Sequence, residues 1–182
     1  FVGSFVPGVL GQTAREMDPY VREINSILDA VQSRIPKLRE RLPILKDDFG
    51  QPVLRAKPAW PYSPSTIKHR TTDPVRLEAS RLGVSTAGVP KTLHAGSFFG
   101  ESADVELTQY QRDIFANESG RFAYEILSRA VNAPGWQNIP ELIKRRYFER
   151  AFVAARRKGA IMALPPEQRH IAIDAMRAEH GL

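Results

Sequence analysis

The sequence predicts a mainly α-helical fold, an irregular helical domain with an extended proline-rich arm and room for one short β-hairpin. Three observations lead there. Apolar residues recur at spacings of three and four in several segments, the period of a helix with one buried side. Capping residues and prolines stand where those segments begin. Between two of the segments, Pro43, Pro52, Pro58, Pro61 and Pro64 recur too closely for any regular helix.

Taken in order, the chain divides into an apolar opening segment over 1–17, a helical region over 18–42, the extended arm over 43–72 and a helical body over 73–182. The opening run from Phe1 to Gly11 is uncharged and shorter than the roughly 20 residues of a membrane span. It reads as a buried lead-in or as a membrane-active strip. A start at Phe1 rather than Met fits a piece of a longer polypeptide. Asp18-Pro19 then offers a cap and a first-turn proline. Tyr20, Ile24, Ile27, Leu28, Val31 and Ile35 follow as one helical stripe, which Pro36 ends or kinks before a short turn over Lys37 to Leu42. In the arm, Asp48-Phe49-Gly50-Gln51 is a turn signal between Ile44-Leu45 and Val53-Leu54, hence the hairpin. Phe49, Trp60 and Tyr62 are the arm's candidate docking residues, because such an arm becomes ordered only by lying on this domain or on a neighbour.

Asp73 to Gly83 is the most completely punctuated stretch, with Asp73 as cap, Pro74 in the first turn and Gly83 as a left-handed exit. Val75, Ala79 and Leu82 face one way and Leu77 the other, which suggests a clamp between arm and body. Val84 to Val105 reads as a loop anchored by Phe98 and Phe99. Thr108 and Gln111 form a capping-box spacing that opens a helix to about Asn132, with Gly120 its weak point. Phe122, Ala123, Ile126, Leu127 and Ala130 share one side of it, and Tyr110, Phe115, Phe122 and Tyr124 read as core. Pro134-Gly135 breaks the chain and Trp136 takes the corner. The most basic helix runs from Pro140 to about Ala163, and Pro165-Pro166 resets the chain for a last helix through Glu179.

Composition constrains chemistry more than it identifies it. With 42% hydrophobic and 25% charged residues the chain can bury a core, and a net charge of +6 favours nucleic acid or acidic protein surfaces as partners. The absence of cysteine excludes disulfides and thiolate metal sites and fits a cytoplasmic assembly compartment. In the basic helix, Arg145, Arg146, Arg150, Arg156 and Arg157 fall in one arc, opposite Ile143, Tyr147, Phe148, Ala151, Ala154 and Ala155. Arginine forks suit phosphates and carboxylates equally, so this arc reads as a solvated or acidic-partner face, or as a phosphate contact. No base-reading motif or aromatic platform accompanies it.

Other patterns carry little. His69, His94, His170 and His180 make no metal-ligand spacing. Ser65-Thr66-Ile67-Lys68 lacks the partner motifs of a serine acyltransferase, and Gly96 to Ser102 lacks the Gly-Lys of a phosphate loop. Asn117-Glu118-Ser119 spells a sequon within a predicted helix, and the alternating Asp104 and Glu106 show no facing carboxylate. No catalytic residue, cofactor or metal is expected.

Read in order, Phe5-Val6-Pro7-Gly8, Asp18-Pro19, Leu42-Pro43, Asp48-Phe49-Gly50-Gln51-Pro52, Asp73-Pro74-Val75 to Gly83, Val89-Pro90, Leu107-Thr108-Gln109-Tyr110, Gly120 and Ala133-Pro134-Gly135-Trp136 resemble the C-terminal part of large phage and prophage polyvalent or internal virion (ejection) proteins. The resemblance spans Phe5 to about Ala163. It implies a non-enzymatic structural module that packages or anchors its polypeptide and assists genome delivery. Its implied partners are portal, core or tail proteins and sibling copies in an oligomer, together with packaged DNA and the host membrane during ejection. The implied location is the phage particle, assembled in the bacterial cytoplasm. The alternative is a basic nucleic-acid-binding module that contacts phosphates.

Overall fold

The computed structural model describes residues 18–24, 26–54, 72–85, 88–94 and 104–179. Those residues are mainly helical with one two-stranded sheet, and the chain separates into two units. One comprises Phe1–Asp47 with Pro52–Arg70, the other Asp48–Gln51 with Thr71–Leu182.

In the first unit, the helix expected from Asp18 to Ile35 is largely absent. Residues 20–23 are extended, and a helix, α1, spans only Ile27–Gln32 behind a Ser26 cap. Backbone pairing is the reason. The Val21 N–H donates to the Val53 carbonyl at 2.9 Å, Leu45 N–H to Val21 at 2.8 Å, and Val53 N–H to Leu45 at 2.9 Å, so three short segments close on one another. Bridges Tyr20↔Leu54, Arg22↔Ile44 and Lys46↔Pro52 accompany them, which places the expected hairpin pairing where Ile44-Leu45 and Val53-Leu54 suggested it. Pro36 does not end a helix but occupies the first turn of a second one, α2, at Pro36–Arg39.

Asp18 is likewise no cap. It is buried, and its carboxylate accepts from Arg22 Nε at 2.8 Å, Arg39 Nε at 2.9 Å and the Tyr20 N–H at 3.1 Å. Arg22 Nη2 donates to the other Asp18 oxygen at 3.2 Å, and the remaining guanidinium N–H groups donate to the carbonyls of Glu40, Leu42, Ser33 and Tyr20. Among this unit's described residues Leu42 and Val53 are the buried aliphatics, and Asp18 and Arg39 of the ionic cluster the buried charges. The stripe inferred for α1 is not buried: Ile24, Ile27 and Leu28 are all exposed.

In the second unit, α3 spans Pro74–Arg81 as its punctuation requires. Asp73 accepts from the N–H groups of Val75 and Arg76, and Gly83 has φ +62° while Val84 N–H reaches back to Ala79. Val75, Ala79 and Leu82 are buried and Leu77 is 51% exposed. Leu82→Ala is therefore expected to destabilise the unit by about 2–5 kcal/mol, and Leu77→Ala by no more than about 0.5 kcal/mol. Equal denaturation midpoints for the two variants would overturn that assignment.

The stretch expected to be a loop contains strand β1, Thr92–His94, antiparallel to β2, Asp104–Glu106, with Leu93 opposite Val105. Leu93 and Leu107 are buried in one cluster with Phe115, Ile161 and Leu164, and this side-chain burial selects an extended backbone over a loop. Phe98 and Phe99 lie outside the described residues.

Two 23-residue helices, α4 at Gln109–Val131 and α5 at Glu141–Ala163, form the body. The Thr108–Gln111 capping box opens α4, and a 3₁₀ turn at Trp136–Asn138 returns the chain. The helices run antiparallel: Trp136 at the connection stacks near Phe148, while Arg156 late in α5 lies over Phe115 early in α4. A last helix, α6, spans Pro166–Glu179. Gly120 does not interrupt α4. A Cβ there would sit 2.1 Å from the Phe49 carbonyl carbon and 2.2 Å from the Gly50 nitrogen, so glycine is what lets the 48–51 turn lie on the helix. Phe49 is consequently a core residue, 5.6 Å from Phe152 and edge-on to Tyr124. Tyr110, by contrast, is 74% exposed and not in the core.

Candidate partner-docking face

The orientation of α5 is set by groups on α3 and the connecting turn. Glu78 accepts from Arg81 Nε at 2.8 Å and from Trp136 Nε1 at 3.1 Å. It also lies 3.8 Å from Lys144 Nζ, which sits over the Trp136 ring. The hydrogen bond from Arg81, reinforced by Trp136 and by the Arg81 and Lys144 charges, holds the Glu78 carboxyl below its ordinary value despite burial. Burial alone would raise the Asp73 carboxyl, but the Tyr124 hydroxyl and the helix N–H groups outweigh it and hold it low as well. Lys144 is thus a buried anchor that faces the Glu78 carboxylate. The sequence carried no sign of this, since Glu78 lies far along the chain and a lysine inside a basic helix looks solvated.

This anchoring sets which side of α5 is buried. Lys144, Phe148, Ala151, Phe152 and Ala155 are inside. Phe148, Ala151 and Ala155 agree with the expected apolar side, whereas Ile143, Tyr147 and Ala154 are exposed. Phe152 takes their place because it meets Phe49.

The five arginines of the predicted arc have different fates. Arg156 is half-buried, lies 5.3 Å over the Phe115 ring and donates to the Gly88 carbonyl at 3.2 Å. Desolvation lowers its pKa, and it is part of the fold rather than of a binding surface. Arg145 pairs with Glu149 at 3.0 Å. Arg146, Arg150 and Arg157 have no hydrogen-bond or ion-pair partner among the described residues, and the first two are exposed. At 100° per residue these three share roughly 100° of arc with Leu142, Glu149 and Val153. Leu142 is 61% and Val153 55% exposed, so the face alternates apolar and cationic groups.

The other expected docking group does not assemble. Phe49 is buried within its own unit rather than offered to a partner, and Trp60 and Tyr62 lie outside the described residues. Ser65 to Lys68, His69, Gly96 to Ser102 and His180 also lie outside them, and His170 is exposed. Among the described residues no three His, Cys, Asp or Glu side chains gather as a metal site. No described helix is long and apolar enough to cross a membrane. Comparison with protein-family models, with curated proteins and with solved structures yielded no significant match.

Proposed function

We propose that this chain is a non-enzymatic docking module of a phage internal virion (ejection) protein, binding portal, core, tail or sibling subunits and assisting genome delivery. One observation carries the docking part: Arg146 and Arg150, exposed, and Arg157, half-buried, have no hydrogen-bond or ion-pair partner among the described residues and share an arc with the exposed Leu142 and Val153. Mixed arginine and aliphatic surface is what protein interfaces use, since arginine tolerates partial desolvation and the aliphatics supply the apolar centre. The phage setting comes from the ordered motif resemblance alone. A charge reversal, R146E/R150E/R157E, is expected to reduce the copies of the protein incorporated per virion several-fold without changing its thermal midpoint. Unchanged incorporation would refute the reading.

Arg146, Arg150 and Arg157 also favour a second reading, contact with nucleic-acid phosphates. Three such contacts give a log–log salt slope of about −3 for duplex binding. If a labelled 20-base-pair duplex shows no anisotropy change even at about 50 mM salt, this reading is lost.

A further inference from the structure

We infer that the outer face of α5 receives an acidic amphipathic helix from another polypeptide; this rests on the docking reading and names its partner's chemistry. Charge comes first. Arg146, Arg150 and Arg157 against Glu149 leave the face at net +2, so a second copy laid on it would oppose like charges. Within residues 1–182, the segments outside the described residues do not supply the complement. Residues 55–71 contain Arg55, Lys57, Lys68 and Arg70 and no carboxylate, 1–17 balance Arg15 with Glu16, and 95–103 hold Glu101 alone. Nucleic acid fits less well, because the Glu149 carboxylate borders the arginines and the exposed Leu142 and Val153 have no use against phosphates.

Shape then distinguishes a helix from a strand. Leu142 and Val153 are eleven residues apart, three helical turns or about 16 Å, and the arginines lie between and beside them at the same pitch. Side chains on one face of a partner helix repeat about every 5.4 Å and stay in step over that length. Those of a strand repeat every ~6.6 Å and fall out of step by about 3.6 Å over three repeats. An antiparallel or parallel partner helix with aliphatics eleven residues apart and carboxylates at flanking positions would cover Leu142 and Val153. Its carboxylates would meet Arg146, Arg150 and Arg157.

The test uses fluorescence anisotropy of the full chain with three labelled peptides. One is a helical peptide with two leucines eleven residues apart and flanking glutamates, one has the same composition scrambled around two prolines, and one has lysines replacing the glutamates. The helical acidic probe is expected to saturate. The scramble, the lysine probe and R146E/R150E/R157E should each bind about tenfold more weakly or worse. Leu142→Ala with Val153→Ala should weaken binding several-fold at an unchanged thermal midpoint. Equal binding of helix and scramble overturns the helical partner while leaving acidic docking intact. Failure of both acidic probes, with duplex binding that R146E/R150E/R157E abolishes, overturns the docking reading itself.

Discussion

Asp18→Asn is expected to unfold the first unit locally, costing about 3–5 kcal/mol, the range found when one partner of a buried ion pair is removed. The carboxylate is 7% exposed and neutralises two guanidiniums, of which Arg39 is 3% exposed. Asparagine keeps the shape but has one acceptor oxygen in place of two, and it leaves the buried Arg39 and the largely covered Arg22 guanidiniums opposed only by carbonyl dipoles. Native-state hydrogen exchange is the direct measurement: the amides of Val21, Leu45 and Val53, which close the three segments, should lose about two to four decades of protection. Retained protection would show that backbone pairing alone holds the unit.

The same site gives acid sensitivity. Burial pushes the Asp18 carboxyl up, but the hydrogen bonds from Arg22 and Tyr20 and the charges of Arg22 and Arg39 outweigh it, so its pKa lies below the ordinary 3.8. A depressed folded-state pKa contributes stability that is present above the unfolded value and is lost as pH falls through 3.8 toward the lower folded value. Protection of these amides should therefore fall on acidification in the wild type and stay nearly flat over that window in Asp18→Asn. Asp73 and Glu78, also held low, give the second unit the same sign.

Gly120→Ala is expected to lower the stability of the second unit by about 3–5 kcal/mol, and its thermal midpoint by about 10–20 °C. In an ordinary helix interior the same change stabilises by about 1 kcal/mol, so the sign itself is diagnostic. The atoms in the way, the Phe49 carbonyl carbon at 2.1 Å and oxygen at 2.4 Å and the Gly50 nitrogen at 2.2 Å, are backbone and cannot rotate aside. The turn must lift, and Phe49 must leave its place against Phe152 and Tyr124. Because Phe49→Ala removes the same contact, the double variant should cost much less than the sum of the two singles. Additive costs, or a raised midpoint for Gly120→Ala, would refute the insertion.

What the sequence determined by itself are the elements whose signals are local. Asp73, Pro74 and Gly83 bound α3, Thr108 and Gln111 open α4, and Pro140 opens α5, because a cap acts on N–H groups two or three residues away. The arginine arc of α5 was legible for the same reason, since helical angle follows from spacing alone. The tertiary structure decided everything that depends on distant atoms. The 18–35 stripe had the period of a helix, yet Val53 and Leu45 compete for its backbone and Arg39 takes its cap residue. Gly120 reads as a weakness in the sequence, but the 48–51 turn lies on it, and Lys144, one of several cations along a basic helix, is enclosed by Glu78 and Trp136. The candidate face shows both limits at once. Spacing set five arginines in one arc, but only packing against Phe115 and pairing with Glu149 separated Arg156 and Arg145 from Arg146, Arg150 and Arg157. Local signals act through bonds one turn long; burial and charge pairing act through space, between residues whose separation along the chain carries no trace of their contact.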